Sequence, residues 1–544
     1  MEGNESRAES PKTLTDPLCD ELHVDKRLLL YKAFYFLFFA GFGASFPYMS
    51  LYFKQMGLNA SSVGILAGIR PIIQFISGPF WSILADRFKA RKAVLLFSIL
   101  SWLVMTVALL IPTPHKTQCR NLMANVNSTQ KYLSVLRRQH STQPVIDKRR
   151  EHNISVPVLD ESMRVYGSAK VKQNTFSFLR NSPFEVYFLK SSHKEPEYAV
   201  RTSSNLTYEL VYDDNEVYQV FTYLLILVVC GEFLEAPTFI MADTALLQKL
   251  GENRRHYGKT RLFGSLGFAF GSLIVGGLLD STEYRYCGQV MNNYNVLFYS
   301  FAIVMAIAFV FGAWMFEFTY EEAEDSKNGE NDGSTMEILT LLLKFQYAFF
   351  LFISFFLGFS NGLFFNFLNW YLEDLGASKL LMGIATIFRT VALIIAFIFN
   401  AFLSDLCGHV QLMLFSVAGY FVLFGGFSII QNPWWALPLE FLDGITYGTT
   451  WSTAVTHLAD ATPKGGAATM QGILQGIYFG LGGGLGAILG GVLIDGYGVV
   501  PSFCLGALMS IAVFIASGFI QLCIFKKKEN MKREAKQPVE HTME

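Results

Sequence analysis

Residues 51–87 read LYFKQMGLNASSVGILAGIRPIIQFISGPFWSILADR, and residues 370–406 read WYLEDLGASKLLMGIATIFRTVALIIAFIFNAFLSDL. Laid one on the other without gaps, they match Tyr52 to Tyr371, Gly57 to Gly376, Gly64 to Gly383, Arg70 to Arg389, Phe80 to Phe399 and Asp86 to Asp405. Identities that include two glycines, an arginine inside an apolar stretch and an aspartate point to an internal repeat rather than to chance. Each copy runs from a short polar turn into an apolar stretch long enough to cross a bilayer. The two stretches therefore occupy equivalent places in two similarly oriented halves.

The surrounding composition agrees with a membrane reading. Of 544 residues, 52% are hydrophobic and 15% aromatic, with 51 phenylalanines, while only 16% are charged where soluble proteins carry about 25%. Mean hydropathy is +0.34. A water-soluble fold has nowhere to bury that much apolar surface, and disordered, collagenous and small disulfide-scaffold classes are excluded. Seven cysteines in this length are too few for a disulfide framework. The net charge of −1 and the scatter of basic residues at helix ends give no support to a nucleic-acid partner. The polar segment 1–27, followed by a long aromatic stretch, does not resemble a cleavable signal peptide.

About 20 apolar residues cross about 30 Å of hydrocarbon. Twelve stretches qualify: 28–53, 62–84, 93–112, 217–245, 260–280, 294–316, 346–372, 380–402, 410–430, 436–459, 468–493 and 500–525. The expected fold is an all-α polytopic membrane protein of twelve helices, built as two parallel six-helix repeats over 28–316 and 346–525. That is the architecture of a rocking transporter. Short connections with Lys26, Arg27, Arg87, Lys89, Arg91, Lys92, Lys249, Arg254, Arg255 and the run Lys526–Lys528 lie on one side. The excess of Lys and Arg places that side, with the tails 1–27 and 526–544, in the cytoplasm. The acidic segment 317–345 reads as a cytoplasmic linker between the halves. Residues 113–216, between spans three and four, form a large external segment with glycosylation sequons at Asn127, Asn153 and Asn205. Within it, PFEVYFLK and NLTYELVY alternate apolar and polar residues as strands do. Cys119 and Cys287 are the two cysteines placed outside, where a disulfide between them is an expectation.

The stretch GPFWSILADRFKARK (78–92) resembles the loop signature of the major facilitator superfamily, with Ser82 and Lys89 standing where that signature has glycines. The second copy, AFLSDLCGH (401–409), keeps Asp405 and Gly408 but lacks the arginine. Residues 25–57, 68–81 and 471–498 narrow this likeness to one branch of the superfamily, and the lactose-permease-type proton symporters are similar at a greater distance. The resemblance implies the two-half transporter fold. It also implies a conformational latch at Asp86 and Arg87, with a weaker counterpart at Asp405, and a cavity lined by spans one, four, seven and ten.

Charges at membrane depth cost about 2.5–3.5 kcal/mol on insertion scales, so each is a functional candidate. In span four, Glu232, Glu235, Phe239 and Asp243 follow at i, i+3, i+7 and i+11 and share one helix face. In span ten, Glu440, Asp443, Tyr447 and Trp451 do the same. These faces read as cavity lining or as structural pairing, and the resemblance sets them opposite one another. Desolvation and like-charged neighbours favour the protonated carboxyl, which makes Glu235, Glu440 and Asp443 candidates for proton coupling. Asp243 and Arg261 flank the short connection between spans four and five, and the segment around them resembles the permease segment that carries its sugar-binding acid and arginine. Arg261 would then donate to substrate and Asp243 accept from it; the other reading is mutual neutralisation. Glu232, Glu235, Tyr447 and Trp451 complete the expected solute-binding set. Arg70 and Arg389 lie about 12 Å deep at 1.5 Å per residue and are expected to pair with the acids of spans four and ten or to touch solute. His457 reads as an interfacial residue or a titrating one. In span eleven, Gly472, Gly476 and Gly480 are spaced for close helix approach.

No phosphate-binding glycine loop, metal-ligand cluster or nucleophile elbow is present in the sequence, so neither catalysis, a cofactor nor a metal is expected. The expected function is secondary transport of a small polar solute by alternating access, driven by protons if the carboxyls titrate. The alternative is a cell-surface binding protein that uses residues 113–216 to engage a protein partner, since long ordered insertions are usually functional. Plasma and endosomal membranes fit equally.

Overall fold

The computed structural model describes residues 28–114, 118–121, 184–190, 196–202, 208–250, 256–287, 289–318, 337–338, 340–462 and 467–534. Asn127, Asn153, Asn205, the basic pairs Lys26–Arg27 and Arg254–Arg255, the tail 1–27 and most of the acidic linker lie outside the described residues.

All twelve apolar stretches are helical. They are α1 (Leu29–Gln55), α2 (Ala60–Arg87), α3 (Arg91–Ala108), α4 (Asp214–Leu250), α5 (Tyr257–Ser281) and α6 (Asn295–Met315). There follow α7 (Phe345–Asp374), α8 (Lys379–Cys407), α9 (His409–Ile429), α10 (Ala436–Ala461), α11 (Thr469–Tyr497) and α12 (Val499–Cys523). Among the described residues, eleven of these are long and apolar enough to cross a membrane. The remaining one, α10, has 26 residues, about 39 Å at 1.5 Å per residue, but Glu440, Asp443 and its threonines make it more polar. The protein is an integral multi-pass membrane protein.

Two helices depart from regular geometry, each for a local reason. Helix α4 is expected as one uninterrupted span but breaks into Asp214–Glu235 and Pro237–Leu250. Pro237 has no N–H to continue the ladder, and the last bond of the upper piece runs from Ala236 N–H to the Glu232 carbonyl at 3.1 Å. In α11, residues Gly476–Gly483 form a π-helical stretch, a distortion that tends to accompany functional sites.

Packing partners recur through the chain. Helix α1 packs on α5, and α7 on α11; α3 packs on α6 and α4, and α9 on α12 and α10. The closest crossings between the first six helices and the last six are α2 with α11 and α5 with α8, and α1 also meets α7. Repeat-equivalent glycines sit in these crossings: a Cβ on Gly64 would meet the Ala487 carbonyl oxygen at 2.5 Å, and one on Gly383 the Leu273 Cα at 2.7 Å. The spacing expected for span eleven is only partly used. Gly476 and Gly480 lie against Phe75 of α2, but Gly472 has nothing within 4 Å.

The turn opening each repeat is built alike. Gly57 and Gly376 take φ of +87° and +79°, a left-handed conformation that glycine adopts without a Cβ clash. Just beyond them, Asn59 and Ser378 cap α2 and α8, accepting from Ser62 N–H at 3.0 Å and Leu381 N–H at 3.1 Å. Phe80 and Phe399, also repeat-equivalent, are both about half exposed, as side chains facing lipid are.

Residues 114–216 and 283–292 cluster as a second compact unit. Its strands pair antiparallel: β1 (Gln118–Asn121) with β4 (Tyr208–Val211), β2 (Phe184–Lys190) with β3 (Pro196–Thr202), and β5 (Tyr284–Tyr286) with β6 (Gln289–Met291). The alternating stretches of the sequence supply β2 and β4. Cys119 and Cys287 are disulfide-bonded, with Cα atoms 5.5 Å apart.

Candidate functional site

Arg70 enters the bundle from α2, and its Nε lies 3.1 Å from Glu232 Oε1 on α4. One turn further along α2, Gln74 donates from Nε2 to Glu232 Oε2 at 2.7 Å. Two donors on one helix face thus meet both oxygens of one carboxylate. Glu232 and Glu235 are each 3% exposed, and Glu235 interacts electrostatically with both Glu232 and Arg70. A buried carboxylate held this way is tolerable because a donor lies beside each oxygen and its charge is opposed. Sequence reasoning misses Gln74, although its i+4 relation to Arg70 is visible there.

The equivalent arginine sits in a looser setting. Arg389 on α8 places Nε 3.8 Å from Glu440 Oε2 and Nη1 4.0 Å from Asp443 Oδ2. These are ion-pair distances beyond hydrogen-bonding range. Glu440 and Asp443 are 2% and 1% exposed, and Glu440 Oε2 and Asp443 Oδ1 accept no hydrogen bond. Close approach of α8 and α10 holds the pair in place, since a Cβ on Gly444 would overlap the Arg389 carbonyl oxygen. The hydroxyls of Tyr420, Tyr447 and Tyr478 lie within electrostatic range of Asp443, and Asn361 donates to Tyr420 at 3.2 Å.

Two phenylalanines connect the clusters. The Arg70 guanidinium lies 5.9 Å from the Phe46 ring centroid and that of Arg389 4.6 Å from Phe365. Phe46 and Phe365 stack on each other, with centroids 5.5 Å apart and planes 24° from parallel. The offset that matches Arg70 to Arg389 also matches these two rings. The result is a layer, arginine–ring–ring–arginine, across the junction of the first and last six helices, flanked by carboxyls at both ends.

At the Gly57/Gly376 end, polar ties join the two helix groups. Lys54 of α1 contacts Glu373 at 2.9 Å and Asp374 at 2.6 Å on α7, while Lys379 holds Glu373 at 2.6 Å. Asp280 at the end of α5 accepts from the Lys379 and Leu380 N–H groups, both at 2.8 Å, capping α8 from the other group. Asp495 of α11 accepts from Asn59 at 3.0 Å and Ser61 at 2.7 Å. Asn369 reaches across to the Pro47 carbonyl at 2.7 Å. None of these partnerships has a signal in the sequence.

A charged, two-sided layer thus lies at the junction of two helix groups tied at one end. The model of the MFS_1 like family matches residues 28–505. The chain belongs to that family. It is 24% identical over 459 residues to the zebrafish (Danio rerio) major facilitator superfamily domain-containing protein 6-like, covering 80% of this chain and 77% of that one. The crystal structure of the nucleoside transporter NupG superposes with a TM-score of 0.58 at 13% identity, covering 91% of this chain and 98% of that one. An inward-facing, occupied structure of a bacterial homologue of the human lysosomal transporter Spinster superposes at 0.52 and 13% identity, covering 90% and 96%. Fold and family together support a secondary transporter of the major facilitator type in general.

Other expected residues of this MFS_1-like chain fall away from the arginine–phenylalanine layer or in its margin. Asp243 pairs with Arg261 and also accepts from Tyr35 at 2.5 Å, while Arg261 donates to Tyr257 at 2.7 Å. This is a network among α1, α4 and α5, with Arg261 still in electrostatic reach of Tyr447 in the other group. Trp451 packs on Phe479 and Tyr478, at 4.9 and 5.6 Å between centroids, so its ring is engaged by the π-helical stretch. Asp86 bonds Arg91 at 2.6 Å within its own turn, and Arg87 and Asp405 are exposed. His457 lies on Phe350 at 4.4 Å and beside His409 at 5.1 Å. A cavity of about 440 Å³ opens among the ends of α7, α9 and α12, with Asp374 in its lining. Among the described residues no group of three or more His, Cys, Asp or Glu is arranged to hold a metal.

Proposed function

We propose that the chain is a secondary transporter that carries a small polar solute by alternating access of α1–α6 and α7–α12, with proton movement coupled through Glu235, Glu440 and Asp443. The observation that carries this reading is the paired layer of Arg70, Phe46, Phe365 and Arg389 with its flanking acids. A bilayer protein gains nothing in stability from charges at that depth, but a translocation path needs them. The solute site comprises this layer with Glu232, Glu235, Tyr447 and, at its margin, the Asp243–Arg261 pair and Trp451. Asp86, Arg87 and Asp405 act as latch residues at the opposite end from Lys54 and Glu373. Both termini lie in the cytoplasm and residues 113–216 outside, glycosylated at Asn127, Asn153 and Asn205, in the plasma or an endosomal membrane.

Uptake by proteoliposomes with an imposed inward proton gradient, screened over pooled sugars, nucleosides, amino acids, amines and organic acids, tests the reading. A gradient-dependent signal abolished by Glu235→Gln or Asp443→Asn supports it. Gradient-dependent uptake that survives both substitutions refutes the coupling assignment, and uptake indifferent to the gradient refutes proton drive.

A further inference from the structure

The two arginine clusters are built alike but completed differently. In the first, Arg70 at 3.1 Å and Gln74 at 2.7 Å meet both oxygens of Glu232. In the second, the repeat puts Leu393 where Gln74 stands, and leucine has no side-chain N–H to give. Arg389 does not compensate: it stays 3.8 and 4.0 Å from its acids, drawn to the Phe365 ring at 4.6 Å. Glu440 Oε2 and Asp443 Oδ1 remain buried acceptors without a donor, on side chains 2% and 1% exposed. A buried acceptor left unmet is costly, more so when charged. The arrangement therefore makes sense when a donor arrives from elsewhere.

The chemistry of that donor follows from charge and surroundings. When both carboxyls are ionised, one guanidinium leaves one negative charge uncompensated. The hydroxyls of Tyr420, Tyr447 and Tyr478 lie within electrostatic range of Asp443, and charge-assisted hydrogen bonds from an ammonium group to a carboxylate are the strong ones. An anion would meet two carboxylates, and a neutral sugar would leave the charge unopposed. We infer that Glu440 and Asp443 recognise the ammonium group of a monovalent organic amine, whose N–H groups supply at Glu440 Oε2 and Asp443 Oδ1 what Gln74 supplies to Glu232. This rests on the transport reading only in calling the amine a transported solute.

The test uses the full-length chain in nanodiscs and three probe sets matched in carbon skeleton and differing in charge: tyramine, tyrosol and 4-hydroxyphenylacetate; glucosamine, glucose and glucuronate; and propylamine, propanol and propionate. Binding is read as thermal stabilisation and by calorimetry at neutral pH. The expected result is stabilisation by at least one amine, with its neutral and anionic partners inactive, and at least a tenfold loss of its affinity in Asp443→Asn and in Glu440→Gln. Should one variant fail to fold, the other carries the test. The inference is overturned if a neutral or anionic probe matches its amine, if the amine binds both variants as it binds the native chain, or if no amine binds. Stabilisation by acidification alone, with no amine effect, also overturns it and makes the occupant a proton. Flux separates the two readings: amine binding without counterflow refutes transport and leaves the cation site standing, whereas counterflow of neutral or anionic solutes without amine binding does the reverse.

Discussion

Phe46 and Phe365, far apart in the chain, stack face to face with ring centroids 5.5 Å apart. Positions equivalent in an internal repeat touch only where they lie close to the axis relating the copies. The pair therefore marks that axis, and Arg70 and Arg389 approach it from opposite sides. Lys54 and Glu373, also equivalent by the repeat, meet at 2.9 Å for the same reason. Equivalent positions near the axis must be self-complementary, and here one pair solves this by stacking and the other by carrying opposite charges.

Replacing Phe365 with leucine should destabilise the protein by about 1–3 kcal/mol, from the lost ring stack and the lost cation–π contact with Arg389. Phe46→Leu should cost less, because Arg70 sits farther from its ring and is held by Glu232 at 3.1 Å. Thermal unfolding in nanodiscs checks the order. Equal losses would mean that the stack alone matters.

The ties at the Gly57/Gly376 end should act as a modest gate. Lys54 is about one-quarter exposed, so its pairing with Glu373 is worth about 0.2–1 kcal/mol after solvent screening, a bias of about 1.4- to fivefold between open and closed populations. Lys54→Glu should raise the open fraction, and adding Glu373→Lys should reverse only part of that rise, because Asp374 and Lys379 then each face a like charge. Spin-label distances across Met56 and Leu375 report the populations. An unchanged distribution in Lys54→Glu would remove the gate assignment.

Arg70 and Glu232 should behave as a buried pair. Glu232→Ala strands a guanidinium and should cost about 3–5 kcal/mol, whereas Arg70→Met combined with Glu232→Leu should recover most of that loss. The comparison is read as folded yield and unfolding temperature. Failure of the double variant to exceed the single one would show that Gln74 or Glu235, rather than the pair, sets the stability.

Much of this is open to inspection in the sequence, for physical reasons that also explain the omissions. Twelve helices are visible because a bilayer demands long apolar runs, and the acids at 232, 235, 440 and 443 because charge inside such runs is rare. Phe46 and Phe365 are hidden by their own abundance: among 51 phenylalanines, no single ring stands out until the repeat is extended upstream of Leu51. The break of α4 is signalled by Pro237 but masked because hydropathy continues through it. Spacing misplaces Gly472, since it identifies a small face without saying whether another helix covers it. The hairpin Tyr284–Met291 gives no sign that it belongs with residues 114–216, since that grouping is a matter of tertiary contact, and only Cys287 hints at it.

The disulfide between Cys119 and Cys287 fixes an alkylation count. With Cys119 and Cys287 bonded, alkylation of the denatured, non-reduced chain should modify five of the seven cysteines: Cys19, Cys230, Cys407, Cys504 and Cys523. Reduction should expose all seven. Because the bonded cysteines are separated by 168 positions in sequence, the chain-entropy model puts the link at about 5 kcal/mol, although retained structure in the reduced chain lowers the realised value. Cys119→Ser, Cys287→Ser and the double variant should then be equally destabilised, since each removes the same bond. A double variant markedly worse than either single one would show that the cysteines act separately. Seven modified cysteines before reduction would show that the bond does not form. Intact-mass spectrometry gives the alkylation count, and thermal unfolding of the three variants gives the comparison.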